Sequence, residues 1–289
     1  MTVSVVTGAS TGIGFATALR LAQAGHQVHA SVRSEASGQA LLDATDDLDL
    51  SLVVMDVDHD DSVSAALEGL LAETGGVDVL VNNAGIAVGH AIEDTPLADF
   101  ERVMNTNVWG TLRCIQAVLP SMRERGSGHI LNVTSTAGRV AVAGQAAYTM
   151  SKFAAEALTE SLAAEAAPFG IRVSAIEPGV IETPIFGKAL ADPEDPTTPY
   201  VGSRRMGEFY IYSLLNDPAT PDLVAEVIWQ AITADEPKLR YLAGEDAKAL
   251  MAHRDGLSDE EWIARQADPD DNAWRSWIKD VTGVEIPST

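Results

Sequence analysis

The chain has 289 residues, and its 19 Lys and Arg residues stand against 42 Asp and Glu residues, which gives a formal net charge of −23. So acidic a surface repels phosphate backbones and anionic lipid headgroups, which disfavours binding to nucleic acid and polybasic attachment to a membrane. With a single cysteine the chain cannot form an internal disulfide, and the N-terminus does not resemble a signal peptide, so we expect a cytoplasmic protein. Long uncharged apolar runs are lacking, so we expect no membrane-spanning helix.

Short apolar segments alternate with longer amphipathic ones along most of the chain. Strands are predicted over residues 3–6, 28–32, 51–55, 77–81, 129–133, 171–176 and 239–242. The main helices are predicted over residues 13–24, 99–125 and 146–167. This alternation is typical of an α/β fold with a doubly wound parallel sheet of about seven strands and helices on both faces. We expect a single domain that covers residues 1–289.

Two segments depart from the alternating pattern. Residues 184–220 combine several prolines with aromatic side chains, and a connection of this length is usually a lid or a binding loop. Residues 244–289 are acidic, form short predicted helices and carry Trp262, Trp274 and Trp277. These tryptophans either pack the segment on the core or take part in closing the site or in a subunit contact. We expect a substrate-binding loop at 184–220 and a C-terminal helical extension at 244–289.

A glycine-rich turn follows the first predicted strand and leads directly into the first helix. Glycines permit a tight turn and close approach of a ligand, and the helix N-terminus presents free N–H groups and the positive end of its dipole. This context predicts a site for the pyrophosphate of a dinucleotide, although the spacing G-x-x-x-G-x-G departs from the G-x-G-x-x-G fingerprint. The residues expected to hold the pyrophosphate are Gly8, Ser10, Thr11, Gly12, Ile13 and Gly14.

The end of the second predicted strand, where Arg33 follows Val32, indicates the preferred cofactor. An acidic residue there would bond the ribose hydroxyls of NAD, whereas an arginine would bind the 2′-phosphate of NADP. Because this strand end has no carboxylate, we expect NADP(H) rather than NAD(H); the alternative is that Arg33 is only a surface cation. Contacts with the adenosine half are also expected after the third and fourth strands, from Asp56, Val57, Asn83, Ala84 and Gly85.

Tyr148 and Lys152 lie four residues apart on one face of a predicted helix. A free phenol has a pKa of about 10, so acid–base chemistry near neutral pH needs that pKa lowered, a task assigned to Lys152. Tyr148 and Lys152 are also expected to bind the cofactor, with Lys152 holding the nicotinamide ribose. Ser135 follows the fifth strand, at the sheet edge where it can hydrogen-bond a substrate oxygen beside Tyr148. Asn107 can interrupt the preceding helix and hold a water linked to Lys152. The turn after the sixth strand, which can bond the nicotinamide carboxamide, contains Pro178, Gly179, Ile181 and Thr183.

These motifs resemble those of the classical short-chain dehydrogenase/reductase family, and they follow the family's order over residues 2–185. The resemblance implies a Rossmann fold, a catalytic tetrad, hydride exchange at nicotinamide C4 and a tyrosine that donates or accepts the proton. The tetrad that it implies here is Asn107, Ser135, Tyr148 and Lys152. It also implies homodimers or homotetramers packed through the two long helices.

Residues 209–212 and 237–242 are similar to the branch of that family that contains 17β-hydroxysteroid and retinol dehydrogenases. That branch favours NADP and bulky apolar alcohols or ketones. We therefore expect a cavity for a hydrophobic carbonyl compound beside Ser135 and Tyr148, with Gln145 as an orienting group. The other residues expected to line it are Ala137, Val140, Val142, Val180, Ile185, Phe186, Met206 and Phe209.

The predicted function is NADP(H)-dependent interconversion of a hydrophobic ketone or aldehyde and its alcohol. One alternative is a lyase on the same scaffold, similar to halohydrin dehalogenases, which Lys152 and the intact glycines disfavour. Another is a non-catalytic NADP-sensing protein, but such proteins typically lose the tyrosine or the lysine. The six histidines have no paired ligand spacing, so no metal is expected.

Overall fold

The computed structural model describes residues 1–189 and 198–287, and its seven strands form one parallel sheet. The strands are β1 (Val3–Val6), β2 (Gln27–Val32), β3 (Leu50–Val54), β4 (Val79–Asn82), β5 (Gly128–Val133), β6 (Ile171–Pro178) and β7 (Arg240–Ala243). Their order across the sheet is β3-β2-β1-β4-β5-β6-β7, with Ser4 of β1 opposite Val79 of β4. In a sheet of this order a ligand binds outside the carboxyl ends of the strands, where the strand order reverses beside β1.

Helices cover both faces of the sheet and bury its apolar side chains. They are α1 (Gly12–Gln23), α2 (Glu35–Asp43), α3 (Asp60–Thr74), α4 (Leu97–Met104), α5 (Gly110–Arg125), α6 (Ala146–Ala166), α7 (Pro184–Ala189), α8 (Val201–Leu215), α9 (Pro221–Thr233), α10 (Glu245–Asp255), α11 (Asp259–Ala267) and α12 (Asp271–Thr282). One apolar layer contains Leu21 of α1 and Ile228 of α9, and the other contains Leu67 of α3 and Ile115 of α5. The predicted fold class is therefore confirmed.

The segment predicted as one helix over residues 99–125 consists of α4 and α5, separated by a π-helical turn at Asn105–Trp109. The reason lies in the side chain of Asn107, which donates to the backbone carbonyl of Ile86 and accepts from its N–H, each at 2.9 Å. A π turn inserts a residue into the helical repeat and so changes where a side chain points. The irregularity thus turns Asn107 toward the segment that follows β4.

The predicted substrate loop is largely helical where the structure describes it, because it contains α7 and α8. Its residues 190–197 lie outside the described residues. Ile181 and Ala219 form an isolated parallel bridge, so the two ends of this segment lie beside each other just beyond β6. The helices of this segment therefore lie on the side of the sheet edge where β6 ends.

The C-terminal extension forms α10, α11 and α12, which pack around their own apolar cluster. Trp262, Trp274 and Trp277 of the extension join Val140 in this cluster, and Phe209 of α8 packs against it. The tryptophans therefore attach the extension both to the segment before α6 and to α8.

Candidate active site

A cavity of about 490 Å³ opens at the carboxyl ends of the central strands, above the glycine-rich turn. Gly8 and Gly12 have φ values of 66° and 59°, in the left-handed region that other residues rarely adopt. A Cβ on Gly8 would lie 2.8 Å from the Cα of Ala84, and one on Gly12 would lie 3.1 Å from the Cγ2 of Thr183. The turn thus permits close approach of three chain segments. The first N–H groups of α1 have no partner within the helix, so they are available to bind an anion in the cavity.

Nearly all residues predicted to hold the cofactor line this cavity. They are Gly8, Ser10, Thr11, Gly12, Ile13, Arg33, Asp56, Val57, Asn83, Ala84, Gly85, Tyr148, Lys152, Pro178, Gly179, Ile181 and Thr183. Gly14 lies behind the wall, because a Cβ there would lie 2.4 Å from both the Nδ2 of Asn83 and the carbonyl oxygen of Gly8. The predicted contact of Gly14 with the cofactor stays a prediction, and what the structure shows is that Gly14 allows α1 to begin this close to the turn.

The side chain of Asn83 fastens the turn after β4 to the glycine-rich turn. Its Nδ2 donates to the carbonyl oxygens of Thr7 at 2.9 Å and Gly8 at 3.2 Å. The Oγ1 of Thr7 in turn accepts from the backbone N–H groups of Asn83 and Ala84, at 2.9 and 3.0 Å. Four hydrogen bonds therefore fix the two turns that form the middle of the cavity wall.

Arg33 lies at one end of the cavity and is exposed. Among residues 1–189 and 198–287 it has no hydrogen-bond or ion-pair partner, so its guanidinium is available to an anion. Asp56 is held locally, because its Oδ1 accepts from the N–H of Asp58 at 3.1 Å and its Oδ2 lies 3.3 Å from the Nδ1 of His59. Arg33 is thus the group at this end of the cavity that suits a phosphate.

Ser135 converges with Tyr148 and Lys152 of α6 in the wall of the same cavity. Ser135 lies two residues after the end of β5 and hydrogen-bonds the phenol of Tyr148. The Nζ of Lys152 lies 5.6 Å from the centroid of the Tyr148 ring and donates to the carbonyl oxygen of Val133 at 2.9 Å. The chain therefore brings together three of the four residues predicted as catalytic, in positions from which a hydroxyl and an amine face one ligand.

Burial dominates the acid–base properties of Tyr148 and Lys152. It raises the pKa of Tyr148 to about 12, and the hydrogen bond with Ser135 offsets part of that rise. It lowers the pKa of Lys152 to about 8, against the negative charge of Glu156, which raises it. The sequence predicts a lowered pKa for Tyr148, whereas the net shift is upward, because desolvation of the phenolate is its largest cause. The phenol is therefore protonated at neutral pH.

Asn107 lies behind the cavity wall and reaches Tyr148 through a neighbouring residue. Its Nδ2 donates to the Oγ of Ser151 at 2.8 Å, and that Oγ donates to the carbonyl oxygen of Tyr148 at 2.7 Å. The sequence predicts a water-mediated link from Asn107 to Lys152. The hydrogen bonds that the Asn107 side chain makes directly are with Ser151 and with the backbone of Ile86. Asn107 thus connects the π turn to the first turn of α6.

A second cavity, of about 480 Å³, meets the first at Ser135 and Tyr148, which line both. Every other residue predicted for a substrate cavity lies in its wall, namely Ala137, Val140, Val142, Gln145, Val180, Ile185, Phe186, Met206 and Phe209. Most of these side chains are apolar. The cavity therefore suits a hydrophobic ligand that extends away from the two hydroxyls.

Sequence reasoning missed several residues of the second cavity. Trp274 and Trp277 line it, so the C-terminal extension both packs on the core and closes the cavity. Tyr210 lines it as well, and its hydroxyl accepts a hydrogen bond from the Nε2 of Gln145. One signal in the sequence could have found Tyr210. Ser203, Met206 and Tyr210 are three and four residues apart, a spacing typical of one face of a helix.

A family model described as short chain dehydrogenase matches residues 2–194. The chain belongs to this family. Human 17-beta-hydroxysteroid dehydrogenase type 1 is 36% identical to this short-chain dehydrogenase over 267 residues, which are 88% of this chain and 80% of the human protein. A solved short-chain dehydrogenase from Streptomyces avermitilis has a TM-score of 0.78 and 33% identity, with 92% of this chain and 99% of that one covered.

A third similar protein is a serine dehydrogenase solved in its closed form with NADP+, at 30% identity and a TM-score of 0.71, over 83% of this chain and 93% of its own. As a short-chain dehydrogenase, the protein is an oxidoreductase that acts on CH–OH donors. Its first cavity fits a nicotinamide dinucleotide for two reasons. The glycine-rich turn has no room for a Cβ at Gly8 or Gly12, and the Arg33 side chain, which has no partner in the described part of the chain, can bind a phosphate.

The matched family model ends at residue 194, so α8 and the C-terminal extension of this short-chain dehydrogenase lie beyond it. Over the described ranges 1–189 and 198–287, every helix is too short or too polar to cross a bilayer. The same residues contain no cluster of three or more His, Cys, Asp or Glu side chains arranged to hold a metal ion.

Proposed function

We propose that the protein is an NADP(H)-dependent oxidoreductase that interconverts a hydrophobic ketone or aldehyde and its alcohol. The observation that carries this proposal is that Ser135 and Tyr148 line both cavities, at the point where the cavities meet. A carbonyl group bound there would contact two hydroxyls of the protein while its carbon faces the first cavity. The rest of the molecule would occupy the apolar second cavity.

The first cavity offers a group for each part of the cofactor. The glycine-rich turn would hold the pyrophosphate, Lys152 the nicotinamide ribose and Thr183 the carboxamide. The exposed, unpartnered guanidinium of Arg33 supports binding of a 2′-phosphate, and hence NADP(H) over NAD(H). When bound, the nicotinamide ring supplies the hydride for reduction and accepts it in oxidation.

Tyr148 is the acid and base of the proposed reaction. It gives its phenolic proton to the substrate oxygen in reduction and takes a proton from the alcohol in oxidation. Ser135 hydrogen-bonds the same oxygen and keeps it beside the phenol. Because burial raises the pKa of Tyr148 to about 12, the phenol carries its proton at neutral pH, which favours its action as the acid in carbonyl reduction.

The remaining expectations fit the same proposal. Residues 184–220 would act as the substrate loop, since Met206 and Phe209 of α8 line the second cavity. Met150 and Phe153 on α6, together with Trp109 just before α5, are exposed, which supports a homodimer or homotetramer formed through these helices.

The test is a paired NADPH and NADH oxidation screen with steroid, retinoid, quinone, aliphatic and aryl carbonyls. Tyr148→Phe should lower kcat by a factor of about 10² to 10⁴, because the proton donor is lost. Tyr241→Phe is the matched control, since Tyr241 lies on β7 and its hydroxyl accepts from the N–H of Lys238 at 2.8 Å. Near-normal reduction by Tyr148→Phe would refute the proton-transfer assignment, and failure to reduce any carbonyl with either cofactor would refute the proposed function.

A further inference from the structure

Gln145 and Tyr210 form a polar pair in the wall of the second cavity, most of whose surface is apolar. The Nε2 of Gln145 donates to the hydroxyl of Tyr210. The Tyr210 ring is held between Phe186 and Phe209, at centroid distances of 4.7 and 5.5 Å. The two phenylalanine rings therefore fix the position of this hydroxyl.

The single hydrogen bond between the two side chains does not use all of their donors. Because Tyr210 accepts from Gln145, its own O–H proton has no acceptor within residues 1–189 and 198–287. With the amide reversed, Tyr210 would donate to Gln145, and the amide NH₂ would become the group that needs an acceptor. Either arrangement leaves a donor in a largely apolar cavity, and a donor of this kind is expected to find an oxygen partner.

This donor lies close to the reacting group. Gln145 immediately precedes α6, Tyr148 lies three residues later in the first turn of that helix, and both line the second cavity. Burial raises the pKa of Tyr210, and the neighbouring Tyr148 raises it further, against the hydrogen bond from Gln145. Tyr210 therefore keeps its proton, and the two phenols are near enough to influence each other.

We propose that Gln145 and Tyr210 bind a second oxygen of the substrate, separate from the oxygen that is reduced. The substrate class is then a hydrophobic ketone or aldehyde with another oxygen acceptor a few bonds from its carbonyl, such as a keto ester, a diketone or a hydroxy ketone. This proposal rests on the proposed function, because it assumes that the carbonyl oxygen lies between Ser135 and Tyr148. A simple alkanone would leave the donor of the pair without a partner.

Two compounds of equal heavy-atom number, butyl 3-oxobutanoate and decan-2-one, test the proposal. Binding is followed by the fluorescence of Trp274 and Trp277, which line the same cavity, and turnover by NADPH oxidation. Tyr210→Phe keeps the ring but removes the hydroxyl. It should lower the preference for the keto ester, measured both as a ratio of Kd values and as a ratio of kcat/KM values, by about three- to tenfold, the effect of one hydrogen bond.

Tyr212→Phe is the matched control, since Tyr212 lies on the same helix and packs against the apolar cluster of the C-terminal extension. It should leave the ratio as in the wild type. Gln145→Leu should lower the ratio as Tyr210→Phe does, and the double variant should lose little more than either, because the two residues act as one unit.

The proposal would be overturned if Tyr210→Phe left the ratio of Kd values unchanged or weakened the binding of both compounds equally. It would also be overturned if the wild type bound neither compound. If the ratio of Kd values falls as expected but neither compound is reduced with NADPH, the second-oxygen site stands and the proposed function fails.

Discussion

Asp246 accepts a hydrogen bond of 2.7 Å from the backbone N–H of Val180 and so joins α10 to the turn that follows β6. Gly179 packs directly against this carboxylate, because a Cβ there would lie 2.1 Å from the same Oδ2. Gly179 lines both cavities. The C-terminal extension therefore supports the turn where the proposed cofactor and substrate would meet.

Gly179→Ala should lower the free energy of unfolding by about 1–3 kcal/mol and raise the KM values for cofactor and substrate, because the new methyl group displaces Asp246 or the turn. Urea denaturation and steady-state kinetics measure the two effects. In a protein that also carries Asp246→Ala, Gly179→Ala should lower the free energy of unfolding by less than it does in the wild type. Gly69→Ala in α3, where no atom beyond the adjacent residues and the nearby helix backbone lies within 4 Å of the added carbon, is the control and should not destabilise. Equal costs with and without Asp246 would contradict this packing.

Arg33→Asp should raise the KM for NADPH by about 10- to 100-fold and change the KM for NADH much less, because one charged hydrogen-bonding group on the phosphate is lost. Stability should be unchanged, since Arg33 has no partner within the described ranges. Arg123→Asp makes the same change in net charge at an exposed site near the end of α5. An unaltered NADPH-to-NADH preference in Arg33→Asp would remove the 2′-phosphate assignment.

Reduction and oxidation should respond differently to pH. Burial raises the pKa of Tyr148 to about 12, so the acid form persists and reduction should be level over about pH 6–8. Burial lowers the pKa of Lys152 to about 8, so reduction should decline above that pH as the ammonium is lost. Oxidation needs the phenolate, whose fraction rises about tenfold per pH unit below the Tyr148 pKa. Pre-steady-state hydride transfer in each direction measures both profiles, and an oxidation rate independent of pH would contradict the assignment.

The strands and the meeting of Ser135 with Tyr148 were predictable because they depend on local pattern and on topology. β1 covers the predicted residues 3–6, and carboxyl ends of neighbouring parallel strands share one edge of the sheet. The ends of elements were less predictable, as β6 continues to Pro178, two residues beyond the expected 171–176.

The features that sequence reasoning missed depend on partners distant in the chain. The π turn at Asn107 depends on Ile86, and the place of Tyr210 depends on how α8 returns over Gln145. The raised pKa of Tyr148 depends on how many elements exclude water from it, which spacing alone does not give.

His129 predicts a loss of stability in acid. It is buried in β5, its Nε2 lies 3.2 Å from the Oγ of Ser174, and burial together with Arg172 lowers its pKa to about 3. The folded protein thus keeps His129 neutral, whereas the unfolded chain binds a proton below about pH 6.5. The free energy of unfolding should therefore fall by up to about 1.4 kcal/mol per pH unit between about pH 6.5 and 3.

His129→Gln should flatten this dependence, and His59→Gln, at an exposed position, should not. Urea denaturation of the three proteins at several pH values measures the slopes. A slope in His129→Gln as steep as in the wild type would show that other groups cause the acid sensitivity.

Arg205 of α8 is 2% exposed, and its Nε donates to the Oδ1 of Asp271 at 2.8 Å, at the start of α12. Asp271→Ala would leave this buried guanidinium without its carboxylate. Breaking a buried pair costs about 3–5 kcal/mol, but Arg205 also donates to the carbonyl oxygen of Asp268 at 2.7 Å and Asp271 is partly exposed, so a loss of about 2–3 kcal/mol is expected.

Asp99→Ala is the matched control, because it breaks a more exposed arginine pair, with Arg102, and should cost less than about 1 kcal/mol. Urea denaturation compares the two losses. Since Asp271 joins the extension to α8, which carries Met206 and Phe209 in the second cavity, Asp271→Ala should also raise the KM for a bulky carbonyl more than the KM for NADPH. Equal stability losses in the two variants, or equal changes in both KM values, would mean that this ion pair does not hold α8 against the substrate cavity.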